Sequence, residues 1–245
     1  MQHPKLVLHH DEAIDRLREI KGPNNFAALV WTSVGFQSAL LTDQGFCGLW
    51  ETESEHWLIG AGELGDISID EYISLEDLAP IRATIPRSWS TPLLDKRNEW
   101  NFYLVESRND LVLQLKHKVE IINSDDEIAA FLTEHAPDSS TKPGDEEVQF
   151  WQGIRNPEGR LVAVGAASRW KSGVMMLVSI TTHPEARGGG MAKAVTSSLA
   201  NELFNQGSPV VGLGVWAANA AAIRAYESVG FRISEEFVSG PLLLP

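Results

Sequence analysis

Short apolar runs separated by turn residues dominate the first hundred positions of the chain. Residues 11–21 carry isoleucine and leucine at three-residue intervals, which predicts an amphipathic helix that ends at a Gly-Pro pair. The stretch 26–59 is rich in strand-forming residues and predicts four short strands, FAALVWT, QSALLTD, GFCGLWE and HWLIG. A capping-box pattern at 74–77 predicts a further short helix, and WNFYLVE (100–106) predicts another strand.

The pattern becomes more regular in the second half of the chain. It predicts strands at 119–123, 148–154, 160–168, 174–182, 209–217 and 231–240, and helices at 124–135, 189–206 and 219–229. The succession β-α-β-β-β-α-β-α-β indicates a mixed α/β or α+β fold rather than a helix bundle or an all-β barrel. We therefore expect two domains, an N-terminal α/β domain at 1–112 and a second domain at 113–245.

A glycine-rich sequence joins the predicted strand 174–182 to the helix that follows it. Arg187, Gly188, Gly189 and Gly190 lie at this junction. Glycines allow positive φ angles and remove side chains that would block a ligand, and the first N–H groups of a helix have no partner within the helix. The helix dipole and the arginine add positive charge, so the junction suits a pyrophosphate. Considered alone, the glycines also fit a flexible turn.

Two motifs in the second half resemble signatures of the GNAT superfamily of N-acetyltransferases. The segment 182–192, THPEARGGGMA, resembles the signature Arg/Gln-x-x-Gly-x-Gly/Ala, with Arg187, Gly190 and Ala192 at the fixed positions. The segment 216–231, WAANAAAIRAYESVGF, resembles the second signature, Asn-x-x-Ala-x-x-x-Tyr-x-x-x-Gly-Phe. The matching residues of this second motif are Asn219, Ala222, Tyr226, Gly230 and Phe231. The motifs occur in the expected order and on the expected elements, and the resemblance covers the second predicted domain.

The resemblance implies a GNAT-like acyl-CoA site and a role for each of its residues. Two parallel strands, 174–182 and 209–217, would separate and hold the CoA arm, with the end of the first strand pairing with the pantetheine and the glycine loop binding the pyrophosphate. The cofactor-binding residues implied in this way are Ile180, Thr181, Thr182, Arg187, Gly188, Gly189, Gly190, Met191, Ala192 and Asn219. Tyr226 would be catalytic, because a neutral phenol can give its proton to the departing thiolate.

The resemblance also implies direct transfer, in which an amine attacks the thioester and backbone N–H groups stabilise the oxyanion. A free alkyl amine is mostly protonated at pH 7, so its proton must be removed. Superfamily members often carry a glutamate for this purpose on the strand before the phosphate loop, but VMMLVSITT contains no acidic residue. Two alternatives for removing this proton stay open. Ser179 or Thr181 could position a water relay, or Glu146 or Glu147 could act as the base. We interpret His183 as structural.

Charge and composition narrow the range of partners. The formal net charge of −13 argues against nucleic acids and anionic membranes. The acidic surface either attracts a cationic amine or keeps the protein soluble. There is no apolar run of about 18 residues and no secretory signal pattern, and the single cysteine, Cys47, excludes an intrachain disulfide and a thiolate metal cluster. We expect a cytoplasmic protein without a bound metal.

The first half contains a GxGxxG match at 60–65, but no helical apolar face follows it. A dinucleotide site needs that loop to open a helix, so we interpret the match as a glycine-rich turn. Five of the eight tryptophans also lie in this half, and core packing is the simplest explanation for them. Some superfamily relatives carry a degenerate first copy of the fold. If 1–112 is such a copy, the absence of an Arg-x-x-Gly-x-Gly/Ala loop predicts that it does not bind CoA.

We therefore expect an N-acetyltransferase that moves an acetyl or other acyl group from acyl-CoA, with acetyl-CoA as cosubstrate, to an amine on a small molecule or peptide. The alternative is a non-catalytic acyl-CoA-binding module with a protein-interaction surface in its first half. The missing strand glutamate favours this alternative.

Overall fold

The computed structural model describes residues 5–53, 55–64, 81–89, 94 and 97–242. The predicted short helix at 74–77 lies outside the described residues. None of the described helices is long and apolar enough to span a membrane.

The chain forms two compact units. Unit 1 comprises Met1–Phe102, Trp216–Ala218 and Ser234–Pro245, and unit 2 comprises Tyr103–Val215 and Asn219–Ile233. The predicted boundary after residue 112 lies inside unit 2.

The first half of the chain forms six strands and two helices within the described ranges. They are β1 (Lys5–Val7), α1 (His10–Lys21), α2 (Phe26–Val30), β2 (Phe36–Leu41), β3 (Gly45–Glu51), β4 (His56–Gly62), β5 (Ile81–Pro86) and β6 (Asn98–Val105). The predictions for α1, β2, β3, β4 and β6 are confirmed.

The second half follows the predicted succession. Its elements are β7 (Glu120–Ile121), α3 (Asp125–His135), β8 (Val148–Arg155), β9 (Leu161–Arg169), β10 (Met175–Thr182), α4 (Met191–Asn205), β11 (Val211–Trp216), α5 (Ala220–Ser228) and β12 (Arg232–Pro241). The mixed α/β prediction is therefore confirmed, although β7 is shorter than the strand predicted at 119–123.

Unit 1 contains a mixed sheet with the strand order β1-β2-β3-β4-β5-β12. β4 and β5 run parallel, and the other neighbouring strands in this order run antiparallel. Ile14 and Leu17 of α1 are buried in one core cluster with apolar residues of β2, β3 and β4. The predicted apolar face of this helix is therefore the face that packs on the sheet.

Residues 26–30 form helix α2, so the strand predicted for FAALVWT is wrong. The Asn25 side chain accepts a hydrogen bond from the Ala28 N–H at 2.9 Å and thereby caps the helix. The Glu235 carboxylate accepts the Phe26 N–H at 2.5 Å. The Phe26 ring packs against three distant aromatic side chains, Trp100, Phe102 and Phe237. Capping and tertiary packing outweigh the local β-propensity here.

The glycines of the GxGxxG match lie in a strand where they are described. Gly60 and Gly62 belong to β4, so they neither open a helix nor form the turn that we expected. The Trp89 ring lies so close to Gly60 that a Cβ there would come within 2.5 Å of it. The Trp89 indole N–H also donates to the Gly62 carbonyl at 2.7 Å. The glycines thus provide the space that this indole fills.

Unit 2 contains the strand order β7-β8-β9-β10-β11. β10 and β11 run parallel, and the remaining pairs run antiparallel. Helix α4 packs its predicted face onto the sheet, with Val195, Leu199 and Leu203 fully buried and Met191 partly buried. Both units thus show three successive antiparallel pairings followed by a parallel pairing.

Ser124 caps helix α3 as predicted, but Glu127 binds a different partner from the one that a capping box requires. The Ser124 hydroxyl accepts the Glu127 N–H at 3.3 Å. The Glu127 carboxylate does not complete a capping box; it binds Arg155 of β8 through two hydrogen bonds, one of them at 2.6 Å. The same guanidinium lies 3.0 Å from Glu120 of β7. This cluster fixes the start of α3 to the sheet and lowers the pKa of Glu127 through the hydrogen bonds from Arg155.

Candidate active site

The hydrogen-bonded ladder between β10 and β11 covers only the first part of β10. Its last paired residues are Leu177 and Leu213. β10 continues to Thr182, so Ile180 and Thr181 have no ladder partner on β11. Thr181 pairs with Val164 of β9, so the backbone groups of this stretch that are open to an extended ligand are those that face away from β9, as in the addition of a strand to a sheet edge.

A β-bulge lies at the point where β10 leaves β11. Val178 pairs with Ala166 of β9, and Thr181 pairs with Val164, so β10 carries one extra residue there. Ser179 has a φ angle of 54°, the one positive value among the described residues other than glycine. Its hydroxyl lies 2.7 Å from the Ser139 hydroxyl. The loop after α3 therefore holds the bulge in place.

The glycine loop has two residues with positive φ angles and leads directly into a helix without a side-chain cap. Gly188 has a φ angle of 79° and Gly190 one of 87°, and a Cβ at either position would meet no atom within 4 Å. Helix α4 begins at Met191, and no side chain caps it. The first helical hydrogen bond that reaches back to the loop is donated by Ala194, so the preceding N–H groups are free for a ligand.

The predicted residues next to the loop occupy the end of β10. The Arg187 guanidinium donates to the Thr182 carbonyl at 3.3 Å, and its side chain is otherwise exposed. No described residue forms a hydrogen bond with the buried Thr182 hydroxyl. His183 accepts the Glu185 N–H on its Nδ1 at 3.2 Å and so fixes the turn that leads into the loop. This contact fits the structural interpretation of His183.

Asn219 and Tyr226 lie at the two ends of α5. The Asn219 side-chain oxygen accepts the Ala222 N–H at 3.1 Å and caps the helix. Its amide NH₂ still has donors to offer, and the residue is exposed. Tyr226 is 7% exposed and packs in the main core of unit 2. Burial raises the pKa of its phenol to about 12.

The candidate bases differ in their hydrogen bonding and exposure. Ser179 and Thr181 both use their hydroxyls in local hydrogen bonds, Ser179 to the Thr141 carbonyl at 3.2 Å and Thr181 to the Ser179 carbonyl at 3.1 Å. Glu146 and Glu147 are exposed in the stretch before β8. The identity of the base therefore stays an open prediction.

Two hydrogen bonds of the candidate site were not predictable from the sequence. Ser139 holds the bulge, and the imidazole of His117 hydrogen-bonds the Gly189 carbonyl of the loop at 2.8 Å. Both residues lie in irregular segments far from the motifs along the chain, so spacing and periodicity do not reveal them.

Two parallel strands that part at a bulge, followed by a glycine loop and an uncapped helix, form the arrangement that the sequence motifs predict for an acyl-CoA-dependent transferase. Residues 83–231 match the family model described as the acetyltransferase (GNAT) family. The chain therefore belongs to the GNAT family, whose members use acetyl-CoA as the acyl donor.

A mycothiol acetyltransferase of Paenarthrobacter aurescens (strain TC1) is 31% identical over an alignment of 131 residues, and the match covers 46% of this chain and 40% of that relative. The chain thus matches less than half the length of this curated relative.

Solved structures share the fold at low identity. A GNAT-family putative acetyltransferase from Novosphingobium aromaticivorans DSM 12444 is 22% identical, with a TM-score of 0.53 over 76% of this chain and 84% of that one. A GCN5-related N-acetyltransferase from Sphaerobacter thermophilus is 13% identical, with a TM-score of 0.59 over 99% of this chain and 96% of that one.

Proposed function

We propose that the protein transfers an acetyl group from acetyl-CoA to a primary or secondary amine. The observation that carries the proposal is the sequence of three features along one strand and helix of unit 2. An unpaired backbone edge at 180–182 is followed by the glycine loop, and then by the free N–H groups at the start of α4. The strand edge would face the thioester and the pantetheine, and the loop together with these N–H groups would face the pyrophosphate, which is the order of these groups along acetyl-CoA.

The binding roles follow from the groups that each segment offers. The backbone of Ile180, Thr181 and Thr182 would pair with the pantetheine amides, and Asn219 would donate to the same region through its free NH₂. The loop from Arg187 to Ala192 would bind the pyrophosphate with backbone N–H groups. Arg187 would exchange its bond to the Thr182 carbonyl for a charge-assisted bond to phosphate.

The reaction is a direct transfer at the thioester carbon. The amine nitrogen forms a new bond to the carbonyl carbon, a backbone N–H group stabilises the oxyanion, and the carbon–sulfur bond then breaks. Tyr226 gives its phenolic proton to the leaving thiolate and recovers a proton from solvent. The attacking nitrogen loses its own proton to a base or to water, so the products are an acetylated amine and free CoA.

The acceptor is an amine on a small molecule or peptide. The formal net charge of −13 supports a cationic acceptor, because a negative protein attracts a positively charged amine over long range. The relative named as a mycothiol acetyltransferase supports acetyl transfer, and the proposal for this chain names the amine class alone.

Unit 1, we propose, is a copy of the same fold that binds no acyl-CoA. It repeats the pairing pattern of unit 2, with β4 and β5 as its parallel pair. Trp89 is 8% exposed, lies against Gly60 and donates its indole N–H to the Gly62 carbonyl. A pantetheine arm would need these same backbone positions of β4, so the indole leaves no room for it.

A panel of amines incubated with acetyl-CoA tests the transfer. We expect thiol release that depends on both the protein and one class of amine, together with an acetylated product of the corresponding mass. Reactions without an amine give the background hydrolysis rate. If the protein binds CoA but releases no thiol with any amine in the panel, the non-catalytic binding module is the correct function.

A further inference from the structure

Residues 112–118 run along the glycine loop and helix α4 within unit 2. We call this stretch the clamp segment. It is irregular in conformation, and no motif of the sequence includes it. Three hydrogen bonds tie it down: Val112 N–H to the Val229 carbonyl at 3.0 Å, Gln114 N–H to the Ser197 hydroxyl at 3.1 Å, and the His117 ring to the Gly189 carbonyl at 2.8 Å.

The second of these bonds anchors the clamp segment to a rigid element. Ser197 is 1% exposed and lies in α4, the helix that begins directly after the loop. The position of the His117 ring relative to the start of α4 is therefore fixed by the fold rather than by the loop itself. Because the clamp segment holds the His117 ring independently of the loop, the ring can fix the conformation of the loop.

The direction of the His117 hydrogen bond follows from its partner. A backbone carbonyl has no proton to give, so the Nε2 atom of His117 must be the donor. The bond sets the plane of the Gly189–Gly190 peptide, because the carbonyl must point toward the imidazole. In a trans peptide the C=O and N–H groups point in opposite directions, so the Gly190 N–H points away from His117.

The orientation of this peptide matters for an anion. Gly189 and Gly190 flank the bond, and glycines have wide φ and ψ freedom, so the peptide can turn over at little cost. A carbonyl turned inward would place a negative dipole against a phosphate, whereas an N–H turned inward would bind it. Ordering the loop before the ligand arrives also removes part of the entropy cost of binding.

We propose that His117 is a positioning residue for the phosphate-bearing end of acyl-CoA. It holds the Gly189 carbonyl outward so that the loop presents N–H groups to the pyrophosphate. The inference rests on the proposed function, since it concerns the same cofactor site. His117 acts through the loop and contacts no reacting atom.

Calorimetric titration of three proteins with two ligands tests this role. The proteins are the wild type, His117→Phe, which keeps a ring but has no donor, and His117→Gln, which restores an N–H donor. The ligands are CoA and pantetheine, which has the same thiol arm without phosphates. We expect His117→Phe to weaken CoA binding about tenfold, roughly the effect of one lost hydrogen bond, and to leave pantetheine binding unchanged. His117→Gln should recover most of the CoA affinity.

The outcomes separate the inference from the proposed function. Equal weakening for CoA and pantetheine in His117→Phe would mean a general structural role and would overturn the inference. CoA affinity equal to that of the wild type in His117→Phe would overturn it as well, while leaving the cofactor site in place. Absence of CoA binding by the wild type would reject the proposed function itself. Melting temperatures of the three proteins show that each variant is folded.

Discussion

Tyr226 illustrates how burial determines the chemistry of a single side chain. Its phenol has a pKa raised to about 12 by desolvation, so it stays protonated across the range in which enzymes work. The raised pKa therefore keeps the phenolic proton in place at neutral pH, which the proposed proton transfer from Tyr226 requires. The second motif identified the residue, and the sequence could not show its burial or its pKa.

Replacing Tyr226 with phenylalanine tests the acid role. We expect turnover to fall by roughly 100-fold or more, within the usual range for a general acid, while the affinity for acetyl-CoA changes little. Because the phenol is protonated below its raised pKa, wild-type turnover should show no loss between pH 7 and 10 that depends on this residue. Steady-state kinetics across that pH range, with calorimetry for the donor, provide the measurement. Equal turnover in both proteins would remove Tyr226 from the mechanism.

Some residues of the candidate site were predictable from the sequence and others were not. Asn219 and Tyr226 belong to a spaced motif, so their positions were predictable. His117 and Ser139 each act through one contact with a residue 40 or more positions away, and nothing in their neighbourhood signals it. The same cause explains α2, since the Glu235 and aromatic contacts that support it come from the other end of the chain.

At the element scale, strand β10 combines predictable and unpredictable features. Its continuous apolar run and the following His-Pro turn predicted its limits within one residue. A continuous apolar run contains no alternation, so it has no sign of the extra residue at the bulge. That bulge nonetheless decides which backbone groups of β10 remain open.

Substitution of Ser179 tests the bulge. Valine is strained at a φ angle of 54°, so we expect Ser179→Val to lower the free energy of unfolding by about 1–3 kcal/mol and to weaken acetyl-CoA binding. Glycine adopts this angle freely, and Ser179→Gly should keep the bulge while losing the hydroxyl's bonds to Ser139 and to the Thr141 carbonyl. Urea unfolding and calorimetry compare the two variants. Wild-type affinity in the valine variant would show that the bulge does not shape the donor site.

At the scale of the whole molecule, family membership supports acyl transfer and the acidic charge supports a cationic acceptor. A cytoplasmic location stays a prediction. The division into units was the least accessible feature from the sequence. Three strands, β6, β11 and β12, each supply residues to both units. Hydrophobic pattern alone marks strands and does not show which compact unit a strand joins.

We propose that each chain binds one acetyl-CoA and that the glycine loop is the place where it binds. Gly190 and Gly173 lie beyond opposite ends of β10 with φ angles of 87° and 89°, and a side chain at either would meet no atom within 4 Å. Glutamate is therefore equally strained at both positions, but only at 190 does its charge oppose the pyrophosphate.

Calorimetric titration of acetyl-CoA into the wild type, Gly190→Glu and Gly173→Glu measures this directly. We predict one binding event per chain in the wild type, no binding in Gly190→Glu, and wild-type binding in Gly173→Glu. Undiminished affinity in Gly190→Glu, or two binding events per chain, would contradict the assignment of the donor site to this loop alone.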